Sequence, residues 1–420
     1  MREEVSTAIF ECGIGGEYDS TNIIVTPTVT GITSLGIDHT ALLGDTIESI
    51  AWHKAGIMKP GIPCFSAPQP ASAIVVLKSR AEEKGSPLTI VEEKNHIASV
   101  KLGLNGDFQR TNAALAIELS RAHLAALGQD VSPYPTIPAP FVRGLKTVHL
   151  PGRCDVRDDR KGAVKWYIDS AHTTESLALA AEWFASHFGP ASSSSSTSPP
   201  PSSQSRLGRE TRILLFNQQT RVPGPLLTAV YNTMLASLPA ELLAMDGRGG
   251  GGAPFTHVIF CSNRTFSSKD VSAELKNLMQ DEGKVDKLEV QKMLRGVWEG
   301  LEDGRGMGGR VGVEGGQESV EGGNDGVEVE GGRTDNKDGG DGKAAIQILP
   351  TIEDAINACR DIAAAALASS GDAEGEGEGV GTQDDEGGRV KVLVTGSMHL
   401  VGGVLEVLET EMETERNAAS

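Results

Sequence analysis

The chain has 420 residues, with 57 acidic against 38 basic side chains (formal net charge -19), 51 glycines and 4% aromatic residues. That length admits two or three domains with real cores, while the acidity argues against broad phosphate-backbone binding to nucleic acid, which needs clustered Lys and Arg. There is no apolar run of about 18 residues to form a transmembrane helix, no signal or Arg-rich transit pattern at the start, and the five dispersed cysteines lack the CxxC spacing of a zinc cluster or the even count of a disulfide framework, which fits a reducing compartment.

In chain order, Ala8-Ile9-Phe10 and Val29 to Leu35 read as short buried strands. Asp45 is a plausible cap for a helix over Thr46–Ala55 that stops before Lys59-Pro60-Gly61. Ile62–Ser66 and Leu88–Val91 are further strands, and Thr111–Leu127 has helical spacing ended by Gly128. Beyond about residue 140 the alternation is plainer. Strands are expected at Val164–Ile168, Ile213–Phe216, Val258–Cys261, Ile346–Leu349 and Val390–Thr395. Helices are expected over Thr174–Phe188, Pro225–Leu238, Asp270 to about Trp298, Ile352–Leu367, and after Gly402-Gly403. Five strand–helix repeats imply a parallel, doubly wound sheet that binds ligands at the carboxyl ends of its strands.

The charge is local. Residues 301–343 and 371–389 each carry a net -6, and the tail 406–420 adds -4, so sixteen of the nineteen excess negative charges lie in 77 residues. Glycine-acid sequence of this kind buries too little apolar surface to offset its ordering entropy. With a Ser/Pro run and a Gly run, it predicts disordered inserts at about 191–210, 246–253, 300–345 and 370–389.

Several residues have the chemistry of a site. Glu11 precedes the glycine turn Cys12-Gly13-Ile14-Gly15-Gly16, where a carboxylate either places a hard oxygen for Mg²⁺ or is an ordinary loop acid. His39 in Asp38-His39 is either a metal ligand or an exposed imidazole, and Lys54 either a phosphate-proximal lysine or a solvated one. Arg153, in Pro151-Gly152-Arg153, either clamps phosphate or pairs with a surface acid. Polar residues gather at the ends of the second block's strands: Asp169-Ser170-Ala171-His172, Asn217-Gln218-Gln219, Ser262-Asn263 and Thr395-Gly396-Ser397, with His399 beyond. No G-x-x-x-x-G-K-[ST] segment is present to cradle a triphosphate.

Together the segments 10–16, Asp19-Ser20-Thr21-Asn22, 34–40, Leu43-Gly44-Asp45-Thr46, 50–57, 151–153, 167–173, Leu215-Phe216-Asn217 and 393–403 resemble folylpolyglutamate synthase, of the ATP-dependent Mur ligase superfamily, in order and over nearly all the chain outside the inserts. The resemblance implies an α/β chain. An incomplete amino-terminal P-loop-type ATPase domain (1–140) would be followed by a carboxyl-terminal Rossmann-like, doubly wound glutamate-ligase domain (141–420). It implies Mg²⁺ ligands at Glu11 and His39, a carbamylated lysine at Lys54, and adenine contacts from Gln109 and Asn112. Arg153 and Asp169 would reach ATP, Asp169 at the ribose, and His172 and Ser397 would line the glutamate site. ATP and Mg²⁺, with a monovalent cation allowed, would serve a cytoplasmic monomer acting on reduced folate and L-glutamate. A mitochondrial form would carry its targeting segment upstream. The reaction implied is phosphorylation of a folate's γ-carboxylate, then displacement of phosphate by the amine of glutamate. The family's amino-terminal glycine loop has no counterpart here, so the ATPase block is expected to lack its first strands and to be inactive alone. Dihydrofolate synthase and a non-catalytic homologue are the competing readings.

Overall fold

The computed structural model describes residues 5–92, 97, 99–129, 136–159, 164–188, 210–244, 252–266, 288–306, 342–369 and 390–419. They divide into two units, Met1–Leu150 and Pro151–Ser420. Among the described residues no helix is long and apolar enough to cross a membrane.

The first unit is built on a parallel sheet of β1 (Thr30–Ile32), β2 (Cys64–Ser66) and β3 (Leu88–Ile90), in that order. Helices α1 (Thr40–Leu43) and α2 (Ile47–Lys54) follow β1, and α3 (Ala71–Lys84) links β2 to β3. Helix α3 is one the sequence did not announce. Its stripe Ala73, Leu77, Ala81 is buried at the spacing of one helical face, and Gly85 stops it in the left-handed conformation, φ +63°. That stripe packs with Ile32, Ala51, Ala55 and Cys64 on one side of the sheet. On the other side, α4 (Gln109–Ala126) brings Ala113, Ala114 and Ile117 against Phe65 and Ala67. Gly31 makes this approach possible, because a Cβ there would lie 2.7 Å from Leu119 Cδ1. Helix α5 (Ala139–Thr147) completes the unit and was also unannounced.

Two expectations in this unit are corrected. Ala8-Ile9-Phe10 is neither a strand nor buried: Ile9 is 94% exposed, and the segment pairs with no strand among the described residues. Apolar content alone does not make a strand without a ladder partner. The cap of α2 is Thr46, not Asp45. Thr46 has extended backbone, and its hydroxyl accepts from Ser49 N at 3.2 Å.

The second unit is a six-stranded sheet in the order β4-β5-β9-β6-β7-β8. Its strands are β4 (Asp155–Asp158), β5 (Val164–Ile168), β6 (Thr211–Phe216), β7 (His257–Cys261), β8 (Ala345–Leu349) and β9 (Val390–Thr395). The five expected strands are parallel, as anticipated. The sheet is not wholly parallel, because β4 runs antiparallel to β5 at the edge. Its charged sequence suits an edge, where Arg157 pairs with Asp155 at 3.0 Å and Glu409 at 3.1 Å.

Alternation sorts the side chains between two faces. Val164, Trp166, Ile168, Ile213, Leu215, Ile259, Cys261 and Val392 face α10 (Ile352–Ser369) and α11 (Met398–Ala419). On the other face Tyr167 meets Trp183 and Phe184 of α6 (Thr174–Ala185) edge-on. Helices α7 (Pro223–Ser237), short α8 (Ala240–Ala244) and α9 (Glu289–Gly306) follow, with Tyr231 against Trp298 at 5.2 Å. Each fully buried aromatic contributes roughly 1.5–3 kcal/mol. Gly402-Gly403 do not precede the last helix but lie within it. Gly403 is small because Ile352 of α10 approaches where its Cβ would stand. The expected inserts lie outside the described residues except at their edges, where residues 300–306 belong to α9 and Ala345 opens β8.

Candidate functional site

In the first unit Glu11 lies in an exposed segment after no strand, and the chain is fixed around it by side chains. Thr7 and Thr28 hydroxyls bond the two ring nitrogens of His123 at 2.9 and 2.8 Å, and Cys12 Sγ bonds Thr21 Oγ1 at 3.3 Å. The glycine turn after Glu11 is closed by Asp19. One carboxylate oxygen accepts from Thr21 Oγ1 (2.6 Å) and Thr21 N (2.9 Å), the other from Ile14 N (2.9 Å). The Thr21 hydroxyl first, then these amides, lower the Asp19 pKa to about 2.

Gly15 (φ +71°) and Gly16 then bring the backbone onto the carboxyl end of α2. A Cβ on Gly16 would lie 2.9 Å from His53 O and 3.1 Å from Lys54 O, and Glu17 N donates to His53 O at 2.8 Å. Glu17 is clamped by Arg80 (2.5 Å) and Lys84 (3.0 Å). Burial pushes its carboxyl up, but Lys84 and Arg80 together outweigh that and hold it below the ordinary range. Arg80, itself buried, also lies over the Trp52 ring at 4.4 Å. The structure thus brings the turn after Glu11 to the end of α2 that carries Lys54. Nothing in the sequence pointed to Arg80 or Glu17, since their pairing spans 63 residues.

His39 is held in the left-handed region, φ 52°, at the head of α1, a conformation costing a non-glycine residue about 1 kcal/mol or more. Its amide donates to Asp38 Oδ1 at 2.6 Å, and its Nε2 is 3.8 Å from Asp38 Oδ2. Gln109 and Asn112 open α4 and share a hydrogen bond, Asn112 Nδ2 to Gln109 Oε1, at 2.9 Å. Among the described residues no three His, Cys, Asp or Glu side chains form a group able to hold a metal.

The second unit concentrates its polar groups at the carboxyl ends of three adjacent strands, β5, β9 and β6. Asp169 follows β5 and is 7% exposed. Its carboxylate accepts from Cys154 N (2.8 Å) and Ala171 N (2.9 Å), fastening the turn that carries Arg153 to the strand end. Gly152 (φ +73°) and Cys154 (φ 44°) flank Arg153 in that turn. Burial pushes the Asp169 carboxyl up, against the opposing pull of the Cys154 and Ala171 groups and of Arg153. Burial also drives the Cys154 thiol well above its ordinary value, with the Asp169 charge adding to the effect.

His172 Nδ1 lies 2.9 Å from Ser170 O; a carbonyl only accepts, so Nδ1 carries the proton in the neutral ring. Thr173 and Ser176 form a reciprocal capping box at the head of α6, a T-x-x-S signal visible in the sequence. Ser397 follows β9 and accepts from His399 N (3.2 Å) at the head of α11. Two loops widely separated in sequence meet here, with Gly396 N donating to Ala171 O at 2.9 Å and Asp169 N to Val394 O at 3.0 Å.

After β6 and β7, Asn217 Nδ2 donates to Asn263 Oδ1 (2.6 Å), and Gln291 of α9 donates to Asn217 Oδ1 (3.3 Å) and Cys261 O (3.0 Å). Gln291 was not anticipated, because it is distant in sequence from every strand end. The heads of α6 and α11 turn partial positive charge toward one strand-end edge, an arrangement suited to an anionic ligand. The candidate residues therefore fall into two sets, Glu11, His39, Lys54, Gln109 and Asn112 in the first unit and Arg153, Asp169, His172 and Ser397 in the second.

No protein-family model matches the chain. Over 411 residues it is 33% identical to a folylpolyglutamate synthase of Neurospora crassa, covering 97% of this chain and 62% of that protein. To a folylpolyglutamate synthase of Saccharomyces cerevisiae (strain YJM789) it is 38% identical over 311 residues, 73% of this chain and 50% of the relative. The chain thus spans between half and two thirds of the length of these relatives. Among solved structures, Mycobacterium tuberculosis folylpolyglutamate synthase complexed with ADP and AMPPCP aligns with TM-score 0.53 at 18% identity, over 94% of this chain and 67% of that one. The apo form of L. casei FPGS aligns with TM-score 0.50 at 17% identity, over 95% and 65%. At such identities the structural likeness speaks for the fold.

Proposed function

The chain is a homologue of the folylpolyglutamate synthases, and from that premise we propose that it acts in an ATP-dependent ligase reaction joining L-glutamate to the γ-carboxylate of a reduced folate. The observation that carries the proposal is the alignment over 97% of the chain. The strand-end cluster of the second unit supports it independently, as a site for small anions.

In this reading ATP phosphorylates the folate carboxylate, and the amine of glutamate attacks the resulting acyl phosphate and expels phosphate. Arg153 would offset charge on the phosphoryl group, and Asp169 would accept from the ribose. The Asp169 carboxylate also takes the Cys154 thiol beside its two backbone bonds, which still leaves a lone pair for this. His172, with Nδ1–H committed to Ser170 O, would present Nε2 to the glutamate amine. Ser397, at the head of α11, would receive a carboxylate of glutamate. Gln109 and Asn112, already paired, would face the adenine.

Mg²⁺ commonly takes only one or two protein ligands and fills its shell with water and phosphate. Glu11 and His39 have the oxygen and nitrogen donors such an ion takes, although no group of three His, Cys, Asp or Glu side chains able to hold a metal is found among the described residues. Bound there, the ion would neutralise phosphate charge, and Lys54, beside the turn after Glu11, would help hold the site. Five free thiols support a reducing, cytoplasmic setting.

The test is ADP release that requires both L-glutamate and tetrahydrofolate. It would be measured for this chain alone and for the chain joined to the part of the Neurospora crassa relative it does not match. Turnover by the joined protein is expected. Turnover only with dihydropteroate would replace this reading with dihydrofolate synthase, and nucleotide binding without turnover on either acceptor would make the protein non-catalytic.

A further inference from the structure

We infer that Gln218 is a positioning residue for the Ser397 turn, holding it through the carbonyl of Gly396. Gln218 follows β6 and is 4% exposed. Its Nε2 donates to Gly396 O at 2.9 Å, and its Oε1 accepts from Thr220 N at 2.9 Å and Thr220 Oγ1 at 3.1 Å. The amide cannot face the other way: a carbonyl only accepts and a backbone N–H only donates, so a flip would break both bonds.

Gly396 is where such a restraint is needed. Its φ of +105° is open only to glycine, and a Cβ would stand 2.5 Å from Phe216 Cε2 and 2.7 Å from Asn217 O. The lack of a side chain lets β9 pass tightly over the end of β6, but it also removes the steric barriers that would fix the next peptide plane. Two hydrogen bonds replace them. Gly396 N–H is bonded to Ala171 O after β5, and Gly396 C=O to Gln218 after β6. The peptide planes on either side of Gly396 are thus each pinned from a neighbouring strand, the one before it to Ala171 and the one that carries Ser397 to Gln218. Ser397 in turn accepts from His399 N and sets the first turn of α11.

The functional consequence rests on the proposal that Ser397 receives glutamate, and the experiment separates the two. The full chain is compared with Gln218→Met, which keeps bulk and deletes the amide, and with Gln218→Glu at a pH where the new carboxylate is ionised, which keeps the acceptor for Thr220 and sets a charged oxygen, with no donor, against Gly396 O. Hydrogen exchange is followed at residues 396–399 and 391–394, and L-glutamate binding by titration calorimetry with ADP present. Exchange at 396–399 should quicken about five- to tenfold in both variants, the scale of one net hydrogen bond, with residues 391–394 unchanged. Glutamate should bind about fivefold more weakly.

If Gln218→Glu exchanged like the wild type, the restraint would act through Thr220 and the inference would fall. Faster exchange with unaltered glutamate affinity would overturn the positioning role. Faster exchange in a protein whose wild type binds no L-glutamate would leave the tie standing and count against the glutamate reading instead.

Discussion

Asp169→Ala removes an acceptor shared by two buried amides, Cys154 N–H at 2.8 Å and Ala171 N–H at 2.9 Å. Leaving a buried donor unpaired costs about 1–3 kcal/mol, so the gross loss is about 2–6 kcal/mol. Part is recovered, because burial already disfavours the ionised carboxylate and its removal relieves that penalty. A net loss of about 2–4 kcal/mol is expected, roughly 4–15 °C in Tm for a unit of this size. Asp169→Asn keeps one acceptor oxygen but turns an NH₂ toward the other amide, and about half the loss is expected. Urea unfolding followed by tryptophan fluorescence measures this well, since Trp166, Trp183 and Trp298 lie in the second unit and only Trp52 in the first. The pH dependence has a definite sign. Burial raises the folded carboxyl above its unfolded value, so within that window the native unit holds a proton the unfolded chain has released. Stability should therefore fall as pH rises through the window, and this slope should vanish in Asp169→Asn. A loss below about 0.5 kcal/mol in Asp169→Ala, or an unaltered slope in Asp169→Asn, would refute the argument that this carboxylate fastens the Arg153 turn.

Gly396→Ala should destabilise the second unit by about 2–5 kcal/mol in the same urea experiment. Forbidden backbone accounts for about 1–2 kcal/mol and overpacking against Phe216 and Asn217 for the rest; wild-type stability would contradict the tight crossing described. In the first unit, Asp19 titrates near pH 2 when folded, below its unfolded value, so its closure of the glycine turn is complete above about pH 4 and is lost as pH falls toward 2. Amide exchange at Ile14 and Thr21 should quicken over that interval. In Asp19→Asn it should be fast already at neutral pH and lose that dependence.

The five parallel strands of the second unit were legible because strands buried on both faces read as continuous apolar runs. Val390–Thr395 is the plainest, with the observed bounds matching the expected ones. Strand β4 was not, because at an edge Asp-Val-Arg-Asp looks like any polar loop. Ala8-Ile9-Phe10 misled in the opposite direction, having the composition of a strand and no neighbour to pair with. Helix α3 was hidden by Ile74-Val75-Val76, a β-branched run that only tertiary packing turns helical. At the candidate site, the polar residues ending β5, β6, β7 and β9 were recognisable because each follows its strand directly. The ties between them were not, because a bond such as that from Gln218 to Gly396 joins positions 178 apart with no local signature.

The place of β9 has a bearing on biosynthesis. The last strand to be made lies inside the sheet, between β5 and β6, so these two cannot be joined as a nascent chain emerges until residues 390–395 are available. Until then β5 and β6 each present a bare edge, the kind of surface that invites mispairing or chaperone capture. The long, glycine-rich connections delay that moment without greatly penalising the result, since closure entropy grows only with the logarithm of loop length. The hydrogen bond from Thr395 Oγ1 to Ala171 O, across 224 residues, belongs to the step that closes the sheet. A ribosome stalled or released before β9 would leave a chain with most of its helices and no strand-end site.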